Sequence, residues 1–321
     1  MKTKEVVSKR ARGVQQPSTR LIKQAKRARS FRLATLLMPA MVLLFLFYYL
    51  PLYGVVISFQ DYNAFQGVTG SPFVGLKHYI YFLTDPMFWK VLKNTLVISF
   101  WDIALGFTAP ILFAILVNEI MNKKFKVTIQ TISYMPNFLS WIVVSSLFFQ
   151  VFSPYDNGLM NAFLGLFGIE PKTYLTNPAF FKPLVIMADI WKNVGWSAIL
   201  YFATMAGIDQ SLYEAAMVDG AGRIKQIWHV TLPGLAPIIS LQFLLKISNI
   251  FNVGFDRVFL LSNPAIGSSG DVLSTYIYRV GLQQSQFSLT TAIGLVQSII
   301  GFTILITANR IAKRTTGLGL Y

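Results

Sequence analysis

Six stretches of this chain are apolar for long enough to cross a lipid bilayer, at about 33–59, 94–118, 127–152, 180–207, 237–262 and 288–312. A hydrocarbon layer takes roughly 20 consecutive apolar residues in helical form, because helices satisfy every backbone donor and acceptor internally. The composition agrees: 54% of the residues are hydrophobic and 13% are charged. A soluble domain carries about 25% charged residues. Too little charge remains to cover a water-facing surface, so lipid is the expected solvent. Several of the runs contain proline (Pro51, Pro110, Pro136, Pro183), which membrane helices accommodate because neighbours re-satisfy the freed carbonyls. The expected fold is therefore an all-α membrane protein of six transmembrane helices.

The charge distribution orients the bundle. The net charge is +15, and the segment 1–32 holds Lys2, Lys4, Lys9, Arg10, Arg12, Arg20, Lys23, Lys26, Arg27, Arg29 and Arg32 against Glu5 alone. A basic segment abutting an apolar run reads as a cytoplasmic anchor on anionic lipid rather than as a nucleic-acid surface. It is also too long, and its apolar run too extended, for a cleaved signal peptide. Lys123, Lys124, Lys126, Arg223, Lys225, Arg310, Lys313 and Arg314 then fall on the same side as the tail, which puts both termini in the cytoplasm. Residues 20–32 read either as a short interfacial helix, with Leu21, Ala25 and Ala28 on one side, or as an unstructured tail. On the outer side, Tyr48, Tyr49, Tyr53, Tyr276, Tyr278 and Phe287 suit an interfacial aromatic belt or a docking surface for an external protein.

Some chemistries are excluded. The chain has no cysteine, and its two histidines, His78 and His229, are far apart. Disulfides, thiolate metal sites, cysteine nucleophiles and histidine-based metal sites or triads are therefore not expected. HExxH and the phosphate-binding G-x-x-x-x-G-K-[ST] are both missing. The chain itself is expected to bind no cofactor and to hydrolyse no ATP.

The segment between the fourth and fifth runs, 208–236, is the most informative. From Glu214 to Pro237 it reads EAAMVDGAGRIKQIWHVTLPGLAP. Ser211 suits the cap of a helix over Leu212–Asp219. Gly220 and Gly222 permit a bend, Ala221 leaves room for close backbone approach, and a second helix reaches about Val230 before Pro233 stops it. Ile224, Ile227 and Trp228 fall at helical spacing and give this piece an apolar face. An apolar cytoplasmic face without a partner in its own chain suggests a docking element.

In order and spacing, Glu214, Ala215, Ala216, Asp219, Gly220, Ala221, Trp228, Leu232, Pro233 and Pro237 resemble the hallmark loop of the permease subunits of binding-protein-dependent ABC importers. That loop runs EAA, DGA, an aromatic residue, then L-P. The stretches LPLYGVVISFQDYN (50–63), GLKHYIYFL (75–83), NTLVISF (94–100) and QTISYMPNFLSWIVV (130–144) are similar to the oligosaccharide and polysaccharide branch of sugar-importer permeases. The long basic tail departs from the pattern. The resemblance implies a maltose-type (type I) fold with cytoplasmic coupling helices seated in a groove of an ATPase subunit. Glu214 would contact a basic residue there, and Gly220 would supply the bend. It also implies a second permease subunit, two ATPase subunits that bind the ATP and Mg, an extracellular solute-binding protein, and transport by alternating access.

Charged and amide residues inside the runs remain to be placed. Asp102, Asp189, Lys192, Lys246 and Asp256 lie within or near spans, and a mid-membrane charge costs about 2.5–3.5 kcal/mol on insertion scales, so none should face lipid. Asp189, Lys192, Asn193 and Trp196 share one helix face, and Lys246, Asn249, Asn252 and Asp256 form a comparable stripe. Sugars need amides or charges for their hydroxyls and aromatic faces for their C–H surfaces. Asp189, Lys192, Asn193, Trp196, Asn249 and Asn252, with Phe138 and Trp141, therefore form a candidate midplane sugar site, and in maltose-type relatives substrate contacts come from these same regions. The same residues would equally serve as helix–helix hydrogen bonds with an internal Asp189–Lys192 pair, and both readings stand at this stage. The competing functions are a secondary transporter or channel independent of an ATPase, which leaves the 208–236 loop without a role, and an intramembrane enzyme, for which no catalytic constellation is present.

Overall fold

The computed structural model describes residues 33–154 and 158–316. The basic segment with its alternative interfacial helix at 20–32, and residues 317–321, lie outside the described residues. The chain divides into two units, Met1–Val56 and Ile57–Tyr321. Among the described residues the fold is helical throughout, with a single isolated β-bridge between Gln60 and Phe73.

Helix α1, Leu33–Phe59, is apolar along its length. It widens to a π-helical turn at Phe45–Tyr49 and tightens over Leu50–Phe59, around Pro51, where the missing N–H breaks the regular ladder. In the second unit, α2 (Pro86–Asn118) starts earlier than the expected 94. The Asp85 side chain caps it by accepting from the Met87 N–H at 2.8 Å, and Pro86 occupies its first turn, where a missing N–H costs nothing. A π-helical turn over Asp102–Phe107 precedes Pro110 in the same helix.

The run expected at 127–152 is two helices, α3 (Lys123–Phe138) and α4 (Trp141–Val151), bent by 105°. Pro136 ends the first, and Ser140 caps the second through the Val143 N–H. Helix α5, Pro178–Ala206, matches the fourth run closely. The short helix α6, Gln210–Val218, follows, then α7, Arg223–Ser248. The helix expected over 237–262 is interrupted: α7 ends at Ser248 and α8 covers only Phe255–Leu261. Asn249 and Asn252 favour turns, and Gly254 adopts φ +80°, a conformation suited to glycine. Helix α9, Phe287–Thr316, closes the chain.

Helices α1, α2, α7 and α9 are long and apolar enough to cross a membrane, and the bent α3–α4 pair can make a fifth crossing. Helix α5 has the length, but it carries Lys182, Asp189 and Lys192, and the last two are engaged inside the protein.

Three clusters hold the second unit together. Ile111, Ala114 and Ile115 of α2 pack with Ala198, Tyr201 and Met205 of α5 and Leu235 of α7. Val144 of α4 packs with Leu184, Val185 and Ala188 of α5 and Val258 and Leu261 of α8. Phe88 and Val91 of α2 pack with Leu289, Ala292 and Ile293 of α9 and with Leu273 and Tyr276 between α8 and α9. Lipid tails are as apolar as these side chains, so the gain is close packing rather than escape from water. Close packing needs small residues where backbones meet. A Cβ on Gly195 of α5 would lie 2.1 Å from the Ser133 carbonyl oxygen of α3, whereas one on Gly294 of α9 would meet nothing within 4 Å.

This contrast predicts that Gly195→Ala separates α3 from α5 and lowers the unfolding midpoint of the detergent-purified protein. Gly294→Ala should leave it unchanged or raise it, since alanine in a helix interior is favoured by about 0.5–1 kcal/mol. Intrinsic fluorescence during a thermal ramp reads both, because Trp191 and Trp196 flank Gly195 on the same helix. Equal midpoints for the two variants would refute the close-contact account.

Candidate functional site

The loop between α5 and α7 is built as two short arms around one glycine. Asp209 rather than Ser211 caps α6: its Oδ1 accepts from the Ser211 N–H at 3.0 Å, so the helix starts at Gln210. That hydrogen bond holds the Asp209 carboxyl below its ordinary pKa. The helix ends in a Schellman motif. The Ala221 N–H bonds the Ala216 carbonyl at 2.9 Å, the Gly220 N–H bonds the Met217 carbonyl at 3.0 Å, and Gly220 sits at φ +74°. Only glycine takes this position without strain. Pro233 does not end the next helix as expected. The π-helical turn Ile227–Thr231 precedes it, and the chain continues unbroken into the rest of α7.

The loop is anchored to the bundle. Tyr213 Oη and Thr231 Oγ1 lie 3.0 Å apart, joining α6 to α7, and Thr231 is buried. Gln226 Nε2 donates to the Ala221 carbonyl at 2.8 Å, and Arg223 reaches Met121 Sδ at 3.4 Å in the α2–α3 connection. Against this fixed base, Glu214, Ala215 and Asp219 are exposed. Leu212, Met217, Val218, Ile224 and Trp228 are exposed too, Val218 at 88%. Ile224 and Trp228, four residues apart, share the outward face. Ile227, expected on that face, instead packs inward with Leu232 against the α2–α5 cluster. Ala216 and Ala221 are half-buried, and Pro233 is exposed.

Within the bundle the polar residues form a connected seam. Lys192 is 7% exposed, and its Nζ donates to the carbonyls of Asn137 and Leu139, each at 2.6 Å, and of Pro136 at 3.4 Å. These are carbonyls at the α3–α4 break, so one ammonium supplies the donors that the interrupted helix lacks. Its Nζ also stands 5.7 Å from the Trp141 ring centroid. Asn137 donates to Asn193 Oδ1 at 2.9 Å, and Asn193 donates to Asp189 Oδ1 at 2.9 Å. Asp189 pairs with Arg257 of α8 at 3.0 Å, and Arg257 also pairs with Asp102 of α2. The internal Asp189–Lys192 pair does not form, because Arg257 holds Asp189 and the carbonyls hold Lys192.

Sequence reasoning missed Arg257 and Asn137. A signal for Arg257 existed: two carboxylates on separate spans require a buried cation, and Arg257 lies in an apolar stretch close to the fifth run's end. For Asn137 there was none, since its role follows from the bend.

The candidate sugar residues divide into two groups. Asp189, Lys192, Asn193 and Trp141 are tied into the seam. Trp196 and Phe138 stack edge to face at 5.7 Å between centroids, and both remain exposed. Trp196 and Lys246 line a cavity of about 530 Å³ with Gln242 and Tyr201. Asn249 and Asn252, in the break after α7, line a cavity of about 180 Å³ with Asp102 and Lys246. They also line a larger one of about 840 Å³ with Phe255, Tyr278 and Phe302. No hydrogen bond or ion pair among the described residues joins Asn249 or Asn252 to Asp189 or Asn193, and Lys246 is the residue common to the first two cavities. No cluster of three or more metal-ligating side chains occurs among the described residues.

Residues 106–317 match the family described as binding-protein-dependent transport system inner membrane component. The chain is 43% identical over 286 residues to the polygalacturonan/rhamnogalacturonan transport system permease protein YteP of Bacillus subtilis, with 89% of each covered. It is 29% identical to the arabinooligosaccharides transport system permease protein AraP of the same organism, with 87% of this chain and 88% of that one covered. Its structure resembles a chain of a bacterial ABC transporter involved in import of the acidic polysaccharide alginate, at TM-score 0.84 and 34% identity, covering 92% of this chain and 99% of that one. A second structure of an alginate ABC transporter, in complex with an alginate pentasaccharide-bound periplasmic protein, matches at TM-score 0.85 and 34% identity, covering 94% of this chain and 100% of that one. A family match over most of the chain, two close relatives and the same fold agree: this chain belongs to the inner-membrane permeases of binding-protein-dependent transport systems.

Proposed function

We propose that the chain is one permease subunit of an ATP-driven importer that carries an oligosaccharide from an extracellular binding protein into the cytoplasm by alternating access. The observation that carries this reading is the cytoplasmic loop: an exposed apolar patch with Glu214 at its edge, on a base held to the bundle through Tyr213–Thr231 and Arg223. An apolar patch of this kind on a rigid base is the form of a docking element. A secondary transporter would have no use for it.

In this reading residues 33–315 form the permease domain with six crossings. They comprise α1, α2, the α3–α4 pair, α5, the interrupted α7–α8 and α9. Residues 208–236 are the coupling loop, and the tail 1–32 and residues 316–321 are cytoplasmic. Two ATPase subunits hold ATP and Mg, and one of them seats Glu214, Ala215, Ala216, Asp219, Gly220, Ala221, Ile224 and Trp228 in its groove. Ile227, Leu232 and Pro233 transmit the movement along α7 into the bundle. A second, related permease subunit completes the pathway. The carbohydrate assignment draws support from the polysaccharide and oligosaccharide systems to which the relatives belong, and from the amide and aromatic lining of the cavities beside α5 and α7. Trp196, Phe138, Asn249 and Asn252 meet the sugar directly. Asp189, Lys192, Asn193 and Trp141 hold the wall behind them.

Two outcomes follow. Glu214→Ala combined with Gly220→Pro should abolish co-purification of the ATPase from mild detergent, because proline cannot adopt the positive φ of Gly220. Retention of the ATPase by this variant would remove the docking assignment. In proteoliposomes of the whole complex, Asn249→Ala and Trp196→Ala should each reduce sugar-stimulated ATP hydrolysis several-fold at sub-saturating sugar while basal hydrolysis stays near wild type. Unchanged stimulation in both would place the sugar path elsewhere.

A further inference from the structure

We propose that Lys246 selects a negatively charged sugar, a uronic-acid oligosaccharide, by pairing its ammonium with the substrate carboxylate; this rests on the carbohydrate-import reading above.

The ionised side chains around the cavities are already assigned, with one exception. Arg257 is held by Asp102 and Asp189, and Lys192 by three carbonyls. Lys246, in the last turn of α7, is half-buried, and its Nζ makes no hydrogen bond or ion pair among the described residues. A partly desolvated ammonium without an acceptor is costly in a membrane protein and calls for an anion. Asp102 lines the same small cavity, but its carboxylate is engaged by Arg257. It does not come within ion-pairing distance of Lys246.

The surroundings of Lys246 specify the rest of the ligand. On one side the cavity of about 530 Å³ presents the Trp196 ring and the Gln242 amide. On the other, the cavity of about 180 Å³ presents Asn249 and Asn252. An aromatic face suits the C–H surface of a pyranose ring, and amides suit its hydroxyls. A cation between them matches the carboxylate that distinguishes a hexuronate from a neutral hexose. A neutral oligosaccharide would leave Lys246 unpaired as it entered. Discrimination of this kind, through a partly desolvated charged group left without its partner, exceeds what added apolar contact achieves.

The charge ledger offers one competing role. The Asp102–Arg257–Asp189 group carries one excess negative charge, so Lys246 would serve merely as its distant counter-ion. The two roles predict different responses to the charge of the substrate.

The test uses the complete importer in lipid nanodiscs with its binding protein. The probes are a galacturonic-acid trimer and its methyl ester, which share length and ring chemistry and differ in charge. ATP hydrolysis is measured against probe concentration for wild type, Lys246→Gln and Lys246→Arg. The expected result is that Lys246→Gln raises the concentration of free-acid trimer needed for half-maximal stimulation by about tenfold, as for loss of one charge-assisted hydrogen bond. It should leave the ester response within about twofold, and Lys246→Arg should retain most of the free-acid response. Because the same binding protein is present throughout, its own preference cancels between variants. Equal losses for free acid and ester, or assembly of Lys246→Arg but not Lys246→Gln, would make Lys246 a structural counter-ion and overturn the proposal. Stimulation of wild type by the ester but not by the free acid would overturn the substrate class alone. Stimulation by no saccharide at all would refute the carbohydrate reading itself.

Discussion

Arg257 lies between Asp102 and Asp189 and ties α8 to α2 and α5 in the interior of the bundle. In an environment that solvates charge poorly, an isolated ion is excluded, and two carboxylates sharing one guanidinium hold their three helices in one arrangement. Removing one member of such a group leaves the others buried without compensation, a loss of about 3–5 kcal/mol. Its location matters as much as its strength. Asp102 begins the π-helical turn of α2, Asp189 connects to the α3–α4 break through Asn193 and Asn137, and Arg257 follows the break between α7 and α8. The ionic group therefore joins the places where regular helix gives way.

Those irregularities share a common logic. Every interrupted helix frees carbonyls and N–H groups, and inside a membrane no solvent is available to receive them. The α3–α4 bend is served by the Lys192 ammonium, and the α7–α8 break by turns of its own, with Asn252 accepting from the Gly254 N–H. Toward the helix ends the same economy holds: Asn94 donates to the carbonyls of Ser268 and Asp271, and Arg279 forms a two-point pair with Asp271. Once these demands are met, Lys246 keeps no hydrogen bond or ion pair among the described residues. It borders cavities with Trp196, Asn249 and Asn252, and Leu212, Val218, Ile224 and Trp228 are exposed on the loop between α5 and α7.

This division separates two groups that the sequence places on one helix face. Asp189, Lys192, Asn193 and Trp196 do share a face of α5, but that face spans two environments. Trp196 reaches a cavity, while the other three meet α3 and α8. Helical periodicity reports direction from the axis and is silent on what stands opposite. Similarly, Ile224, Ile227 and Trp228 have helical spacing, yet Ile227 turns to the core because the path of α7 past Leu232 takes it there.

Length and apolarity alone specified a helical membrane protein, since a chain with so few charges has no soluble alternative. The ordered residues from Glu214 to Pro237 specified the loop between α5 and α7, down to the glycine at which it bends, because a positive φ is a local demand that one residue type meets. The partner of each buried charge was beyond reach of such reasoning. Arg257 is 155 residues from Asp102, and Lys192 is 53 from Leu139. Their pairing follows from where the helices break and cross, which is a property of the folded bundle. So too is the open position of Lys246, since a side chain is left unpaired only relative to everything packed around it.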